Sequence, residues 1–128
     1  MKVKMTMREL ASIVNIDDFD TPCEYDFSDL GINVNTPNGF KPMTNFVVKE
    51  SVDTHYLLPE GLKTTPAHRT LVDGKWIRSK DREDAVLVNK PMQVVDMSVP
   101  DGECYLAGGE INHNTTPGGE LLASYARV

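Results

Sequence analysis

The amino-acid sequence predicts an all-β fold with one short helix near its N-terminus. Short runs rich in Val, Ile, Thr and aromatic residues recur along the chain, and Gly, Pro, Asn and Asp residues separate them. Apolar residues at helical spacing are almost absent beyond the N-terminal segment. The 128 residues suffice for one domain with a real core and not for two. We therefore predict a single all-β domain.

The N-terminal segment is predicted to hold a strand, the helix and a loop. Residues 2–5 alternate polar and apolar side chains, as in a half-buried strand. Thr6 is a good N-cap, and Glu9 three residues later completes a capping-box pattern for a short helix that runs to Val14. Residues 15–29 are acidic and irregular, so we predict a surface loop there.

The rest of the chain predicts strands joined by tight turns. Pro37-Asn38-Gly39 is a hairpin turn between strands at residues 32–36 and 40–43. Residues 85–88 form an uninterrupted apolar run, which predicts a buried strand. Further strands are predicted at residues 45–50, 53–58, 94–99 and 103–106, turns at residues 59–61, 73–75 and 100–102, and a polar excursion at residues 79–84.

The composition argues against several classes of function. The net charge of −6 and the lack of a basic run argue against nucleic-acid binding. No apolar stretch approaches the roughly 20 residues that a membrane span needs, and the N-terminus lacks the apolar core of a signal peptide. Cys23 and Cys104 have neither the spacing of a metal site nor a disulfide pattern, so a reducing cytosol is expected.

The run Ile111-Asn112-His113-Asn114-Thr115 carries the clearest chemical pattern in the chain. An Asn side-chain amide can attack its own carbonyl carbon and break the following peptide bond, here the bond from Asn114 to Thr115. His113 can protonate the leaving amine or polarise the carbonyl, and the Thr115 hydroxyl can accept an acyl group. His-Asn-Thr occurs by chance in many proteins, so its meaning depends on the sequence around it.

Two further patterns accompany this run. Residues 94–99 form a strand with an Asp, and residues 104–114 form a second strand and a small-residue turn that ends in His-Asn. Upstream, Lys63-Thr64-Thr65-Pro66-Ala67-His68-Arg69-Thr70-Leu71 places Thr and His at the spacing T-x-x-H. In this order, the patterns resemble the splicing blocks of inteins. The resemblance implies the horseshoe-shaped Hedgehog/intein (HINT) fold, in which the splice junctions meet in a central cleft.

Thr65 and His68 match the pair with which inteins activate the upstream scissile amide. The resemblance implies that His68 protonates the departing amide nitrogen and that Thr65 hydrogen-bonds the strained peptide. The alternative is that Thr65-Pro66 forms an ordinary turn and that His68 is a partly buried polar residue.

Asp96 lies eighteen residues before Asn114, where inteins carry an Asp that assists acyl transfer to the second nucleophile. The resemblance implies a partly buried carboxyl group of raised pKa that moves a proton between the nucleophiles. The alternative is an exposed Asp on a strand. Glu103 stands where many inteins carry a second His, so either Glu103 assists as a base or the role falls to His113 alone.

Four other side chains are expected to be structural. Cys104 fits an inward strand position and is predicted to be a core residue. Trp76 and Tyr105 are expected to pack against neighbours. His55 belongs to no motif, so we expect it to be structural or exposed.

The chain starts with Met, whereas a complete intein starts with Cys or Ser. The resemblance implies that residues 1–114 are the long C-terminal fragment of an atypically split intein, and that a separate short peptide carries the initiating Cys. Residues 115–128 would then be a C-extein segment that leaves the domain as a flexible strand. The hairpin at residues 32–40 resembles fragments associated with phage packaging terminases, so the cytoplasm of a bacterial or phage-infected cell is expected.

In a competing interpretation, Cys23 is the first residue of the intein and residues 1–22 are host sequence. Three observations count against it. Pro22 restrains that junction, Glu24-Tyr25-Asp26 does not resemble an intein opening, and the distance to Thr65 is short.

The resulting hypothesis is protein splicing in trans. With its partner peptide, the chain would excise itself once and join the exteins by acyl shift, transesterification to Thr115 and cyclisation of Asn114, without a metal or cofactor. Two alternatives stay open: a self-cleaving domain of the same fold that does not ligate, and a non-catalytic β-rich phage structural protein. The expected partners are the N-terminal fragment and the flanking exteins, with no nucleic acid and no membrane.

Overall fold

Short antiparallel strands build the molecule, which confirms the all-β prediction. The structure, a computed structural model, describes residues 2–113 and 123–127. In chain order the elements are β1 (Lys2–Thr6), α1 (Met7–Ile13), β2 (Cys23–Asp26), β3 (Asn33–Thr36), β4 (Gly39–Pro42), β5 (Asn45–Val52), β6 (His55–Leu57), β7 (Lys63–Thr64), β8 (Arg69–Val72), β9 (Lys75–Arg78), a 3-10 helix (Ser79–Asp81), β10 (Val86–Val88), β11 (Met92–Ser98), β12 (Cys104–Ala107), β13 (Glu110–His113) and β14 (Ala123–Arg127).

The described strands pair into four antiparallel sheets. Their strand orders are β1-β14-β3-β4, β10-β6-β7, β11-β5-β2 and β12-β13-β8-β9. In the last sheet, Asn112 of β13 lies opposite Tyr105 of β12 on one side and Thr70 of β8 on the other. This pairing brings the end of the T-x-x-H segment beside the strand that ends at His113.

The helix α1 begins where the capping box predicts. The Glu9 amide donates to Thr6 Oγ1 at 3.1 Å, and the Thr6 amide donates to Glu9 Oε1 at 3.2 Å. Such a cap stabilises a helix by about 1 kcal/mol. Met7, Leu10 and Ala11 of the helix are buried in the hydrophobic core, so α1 is an integral part of the domain.

The prediction of a surface loop at residues 15–29 is wrong for much of the segment. Residues 23–26 form β2, which pairs with β5, and Ile16, Phe19 and Phe27 are buried. The Phe27 ring stacks on Phe46, with the ring centroids 5.4 Å apart. The acidic residues of this segment are exposed between the buried apolar ones. The acidic composition therefore does not reveal that the segment contributes to the core.

The strand at residues 85–88 is correctly predicted, but its burial is not. The side chains of Val86 and Leu87 are 59% and 50% exposed. The reason is topological, because β10 lies at the edge of its sheet beside β6. An apolar run by itself does not distinguish a buried strand from an edge strand.

The C-terminal strand β14 also departs from expectation. Its backbone pairs with β1 over residues 123–127 and with β3 at Ala126 and Arg127. This part of the chain therefore lies inside a sheet instead of leaving the domain. β14 thus fills the position between β1 and β3, where the facing edges of both strands accept a strand.

In the part of the chain that the structure describes, no helix has the length and apolar character needed to cross a membrane.

Candidate functional site

The centre of the candidate site is a hydrogen bond between two buried side chains. His68 Nε2 lies 2.7 Å from Asn112 Oδ1, and both residues have no exposed surface. His68 comes just before β8, and Asn112 lies on β13 beside that strand. The sheet thus connects the T-x-x-H segment directly to the residue before His113.

The turn from Thr65 to His68 is held rigidly by the 3-10 helix. The His68 amide donates to the Thr65 carbonyl at 3.2 Å, which closes the turn. The Lys80 amide donates to the Pro66 carbonyl at 3.0 Å, and the Ser79 amide donates to the His68 carbonyl at 2.9 Å. Thr65 is buried as well. The alternative interpretation correctly expected a turn here, but His68 is fully buried and not partly exposed.

Burial determines the protonation state of His68. Desolvation lowers the pKa of His68 to about 4, against a smaller raising effect of its hydrogen bond to Asn112. The imidazole is therefore neutral near pH 7. Its Nδ1 atom is buried and has no hydrogen-bond partner among residues 2–113 and 123–127. A buried ring nitrogen of this kind is costly, which makes it a candidate contact for an incoming group.

The shifted pKa of His68 gives a stability prediction. Its folded-state pKa lies below the ordinary value of 6.5, at about 4, so the unfolded chain binds the proton more tightly. The neutral state of His68 therefore adds up to about 3 kcal/mol to the free energy of unfolding. This stabilisation is fully present above about pH 6.5 and is lost as the pH falls through about pH 4. We expect the free energy of unfolding, measured with urea at pH 7 and pH 4.5, to differ less between the two pH values in His68→Gln than in the parent. Thr70→Val, which removes a buried hydroxyl that does not titrate, should keep the parental pH dependence.

Asp96 lies inside the protein, so the alternative of an exposed strand residue is wrong. It has no exposed surface, because β11 is buried on both faces around it. The Met97 amide donates to Asp96 Oδ1 at 2.7 Å, and the Tyr105 hydroxyl donates to the same oxygen at 3.3 Å. Lys49 Nζ lies 4.0 Å from Oδ2. Tyr105 packs as predicted and is fully buried, and its register position opposite Asn112 connects Asp96 to the His68 pair.

His113 is the last described residue of its segment, and Asn114 and Thr115 lie outside the described residues. The His113 ring is half-buried and meets Trp76 edge to face, with centroids 4.9 Å apart and an interplanar angle of 78°. Trp76 packs as expected, although its side chain is 41% exposed. This contact positions the His113 imidazole at the end of β13.

Cys104 and Glu103 lie at the same end of the sheet as His113. Cys104 is opposite His113 in the strand register. It is half-buried, so the prediction of a core residue is only partly right, and burial raises the pKa of its thiol. Glu103 is exposed, has a left-handed φ of 52° and precedes β12. Glu103 thus lies next to Cys104, the register partner of His113.

His55 lies apart from these residues. It is buried, and its Nδ1 lies 2.9 Å from the Lys90 carbonyl oxygen. A structural role, as expected, accounts for this contact.

Two side chains of the site were missed by sequence reasoning. In the sequence, Asn112 is distinguished only as part of the run before Asn114. Arg82 belongs to the polar excursion at residues 79–84, yet its Nη1 donates to Glu110 Oε1 at 2.7 Å and to Thr70 Oγ1 at 2.9 Å. Its guanidinium also holds Asp84 through two hydrogen bonds of 2.8 and 2.7 Å, which lowers the pKa of that carboxyl group. Arg82 thereby fixes β13 to β8 and to the segment that holds the turn.

Among the described residues, no three His, Cys, Asp or Glu side chains gather in a way that could hold a metal ion.

Comparison with known proteins identifies the fold. No protein-family model matches the sequence, and none of the curated proteins matches it either. Among solved structures, the chain is similar to one described as a consensus engineered intein (Cat) with an atypical split site. The fold is that of an intein. The TM-score is 0.58 at 17% sequence identity, and the match covers 80% of this chain and 96% of the other. At this identity the likeness establishes the fold, while function depends on the site.

Proposed function

We propose that the protein performs protein splicing in trans. The observation that carries this proposal is the buried, neutral His68, whose Nδ1 lacks a partner among the described residues on a turn fixed beside β13. The intein fold supports it, since it joins this turn to the strand that leads into Asn114 and Thr115.

In the first step, a Cys thiol of a partner peptide attacks the carbonyl carbon of the upstream extein. A thioester forms, and the bond from that carbon to the Cys nitrogen breaks. The neutral His68 Nδ1 takes the thiol proton and then delivers it to the leaving nitrogen. Thr65, buried at the start of the same turn, hydrogen-bonds the strained junction peptide.

In the second step, the Thr115 hydroxyl attacks the thioester carbon. An ester forms on Thr115, and the Cys thiolate leaves. Asp96 accepts the hydroxyl proton and passes it to the thiolate. A carboxylate suits this exchange because the Tyr105 hydroxyl and the Met97 amide keep Asp96 fixed in a dry environment.

In the third step, Asn114 cyclises. Its side-chain nitrogen attacks its own carbonyl carbon, the bond to the Thr115 nitrogen breaks, and a succinimide forms. His113 protonates the departing amine, with Glu103 as the assisting base that takes the proton of the attacking amide. The acyl group then moves from the Thr115 oxygen to its nitrogen and leaves an ordinary peptide bond. Each step forms one acyl bond as it breaks another, so no cofactor is needed.

The proposed division places the intein fragment at residues 1–114 and a C-extein segment at residues 115–128. A partner peptide would add a strand by β-augmentation. We propose the edges of β1 and β3 as its position, where β14 pairs in the structure. The similar structure is described as having an atypical split site, which supports a chain that works with a separate partner fragment. The β3–β4 hairpin supports a phage terminase as host only through its sequence resemblance, and a bacterial or phage-infected cytoplasm follows from that host.

The competing start at Cys23 is disfavoured by the packing of α1. If residues 1–22 were host sequence, splicing would remove Met7, Leu10 and Ala11 from the hydrophobic core. Each large apolar side chain lost from a core costs about 2–5 kcal/mol. A separate partner peptide is therefore the better proposal.

Mixing the chain with a synthetic Cys-bearing intein peptide attached to a short extein tests the proposal. We expect intact mass spectrometry to find the extein joined to residues 115–128 together with the excised residues 1–114. Thr115→Ala should give cleaved and unjoined products, because the acyl acceptor is lost while Asn114 cyclisation remains. Cleavage without joining in the parent would favour the self-cleaving alternative. Unchanged masses with every partner would contradict splicing and favour a structural protein.

A further inference from the structure

The orientation of the Asn112 side chain is determined by the backbone around it. Its Nδ2 atom lies 3.0 Å from the Glu110 carbonyl oxygen, 3.2 Å from the Ala107 carbonyl oxygen and 3.5 Å from the Tyr105 carbonyl oxygen. Carbonyl oxygens only accept hydrogen bonds, so the atom facing them must be the NH₂ group. The amide oxygen must then point the other way, towards His68.

This orientation determines which nitrogen of His68 carries the proton. Asn112 Oδ1 is an acceptor and lies 2.7 Å from His68 Nε2, so Nε2 must donate. A neutral imidazole has one N–H group. The other nitrogen, Nδ1, therefore presents a lone pair, and this is the atom that has no partner among the described residues.

We propose that Asn112 is a positioning residue that fixes the Nε2–H tautomer of His68 and directs the Nδ1 lone pair to the splice junction. The role at the junction rests on the proposed function, whereas the tautomer is a property of the chain by itself. The reversed tautomer would place an N–H where a proton must first be accepted, and His68 could not begin the first acyl shift as a base.

The surrounding fold keeps Asn112 in this orientation. It is fully buried between Tyr105 and Thr70 in the sheet. Two of the carbonyl groups belong to Ala107 and Glu110, which flank the turn between β12 and β13. Gly108 within this turn has a left-handed φ of 58°. A Cβ at Gly108 would lie 2.6 Å from Leu62 Cβ. Glycine there thus allows the tight reversal that aims the Ala107 and Glu110 carbonyls at one amide.

Nitrogen NMR of the chain without partner tests the tautomer directly. The chain contains three His residues, and loss of one signal set in His68→Gln assigns the ring. At pH 7 we expect long-range ¹H–¹⁵N correlations to identify a protonated Nε2 and an unprotonated Nδ1. A proton on Nδ1, or signals averaged between the two tautomers, would overturn the proposal. This result does not depend on whether any partner splices.

The matched variants are Asn112→Leu, which removes the acceptor at similar volume, and Thr70→Val, which alters the neighbouring buried position. Loss of a group that orients a metal-ligating imidazole costs about 10–100-fold in activity, and we expect an effect of the same order for His68. We expect Asn112→Leu to show this loss in thioester formation at saturating peptide, together with a mixed His68 tautomer. Thr70→Val should retain the parental tautomer.

A folded Asn112→Leu with an unchanged tautomer, or with a thioester rate within twofold of the parent, would contradict the assignment. If Asn112→Leu does not fold, the spectrum of the parent chain decides. If the parent chain shows the Nε2–H signal but does not splice with any partner, the proposed function is refuted, whereas the assignment of the His68 tautomer remains valid.

Discussion

Asn114→Ala is expected to abolish release of the joined exteins and to trap the branched ester. Only the side-chain amide of Asn114 can attack the carbonyl before Thr115, and alanine has no atom that replaces it. Transfer of the acyl group to Thr115 does not use this amide, so the ester should accumulate. Intact mass after mixing with the Cys-bearing peptide measures this, because alkaline hydrolysis of the ester separates the branched species into its components.

Asn89→Ala is a matched control for that variant. Asn89 is exposed, follows β10 and lies outside the candidate site. We expect the Asn89→Ala variant to splice as the parent does. Spliced product from Asn114→Ala at the parental yield would rule out cyclisation of Asn114 as the cleavage step. The self-cleaving alternative also requires Asn114, so this variant tests both hypotheses that involve cutting.

The parts of the fold that could be predicted are those whose partners lie a few residues apart. The capping box joins Thr6 and Glu9 within one helical turn. The turn that brings the His68 amide to the Thr65 carbonyl is equally local. Such contacts depend on spacing along the chain, so the sequence alone identifies them.

The partners that were missed lie far apart in the chain. Asn112 contacts a residue 44 positions away, and Arg82 contacts Glu110 28 positions away. Their meeting depends on the register of β13 against β8, which a local pattern does not contain. An Asn or Arg in a polar stretch looks the same whether it is exposed or buried against a partner. The hydrogen bond between His68 and Asn112 therefore follows from the strand pairing and could not be predicted from the sequence.

The wrong assignments of burial have a related cause. Acidic neighbours surround Phe19 and Phe27, yet both are buried in the hydrophobic core. Val86 and Leu87 belong to an apolar run, yet both are exposed at a sheet edge. Burial in a β protein depends on the position of a strand within its sheet as well as on its composition.

His68→Gln is expected to slow thioester formation by about 10²–10⁴-fold, the usual contribution of one general acid–base group. Glutamine retains an N–H that can donate to Asn112, so the turn and sheet should keep their structure. It has no group that can both accept and return a proton, so the leaving nitrogen departs unprotonated. The rate of release of the upstream extein by an added thiol, at saturating peptide, measures this step before Thr115 or Asn114 acts.

His55→Gln is the control for that experiment, because it changes another buried His whose Nδ1 contacts only the Lys90 carbonyl in the described part of the chain. We expect it to form the thioester at close to the parental rate. A thioester rate for folded His68→Gln equal to that of the parent would return His68 to a structural role. Slower thioester formation with unchanged peptide binding would instead place the proton transfer of the first acyl shift at Nδ1, since binding and folding would both be intact.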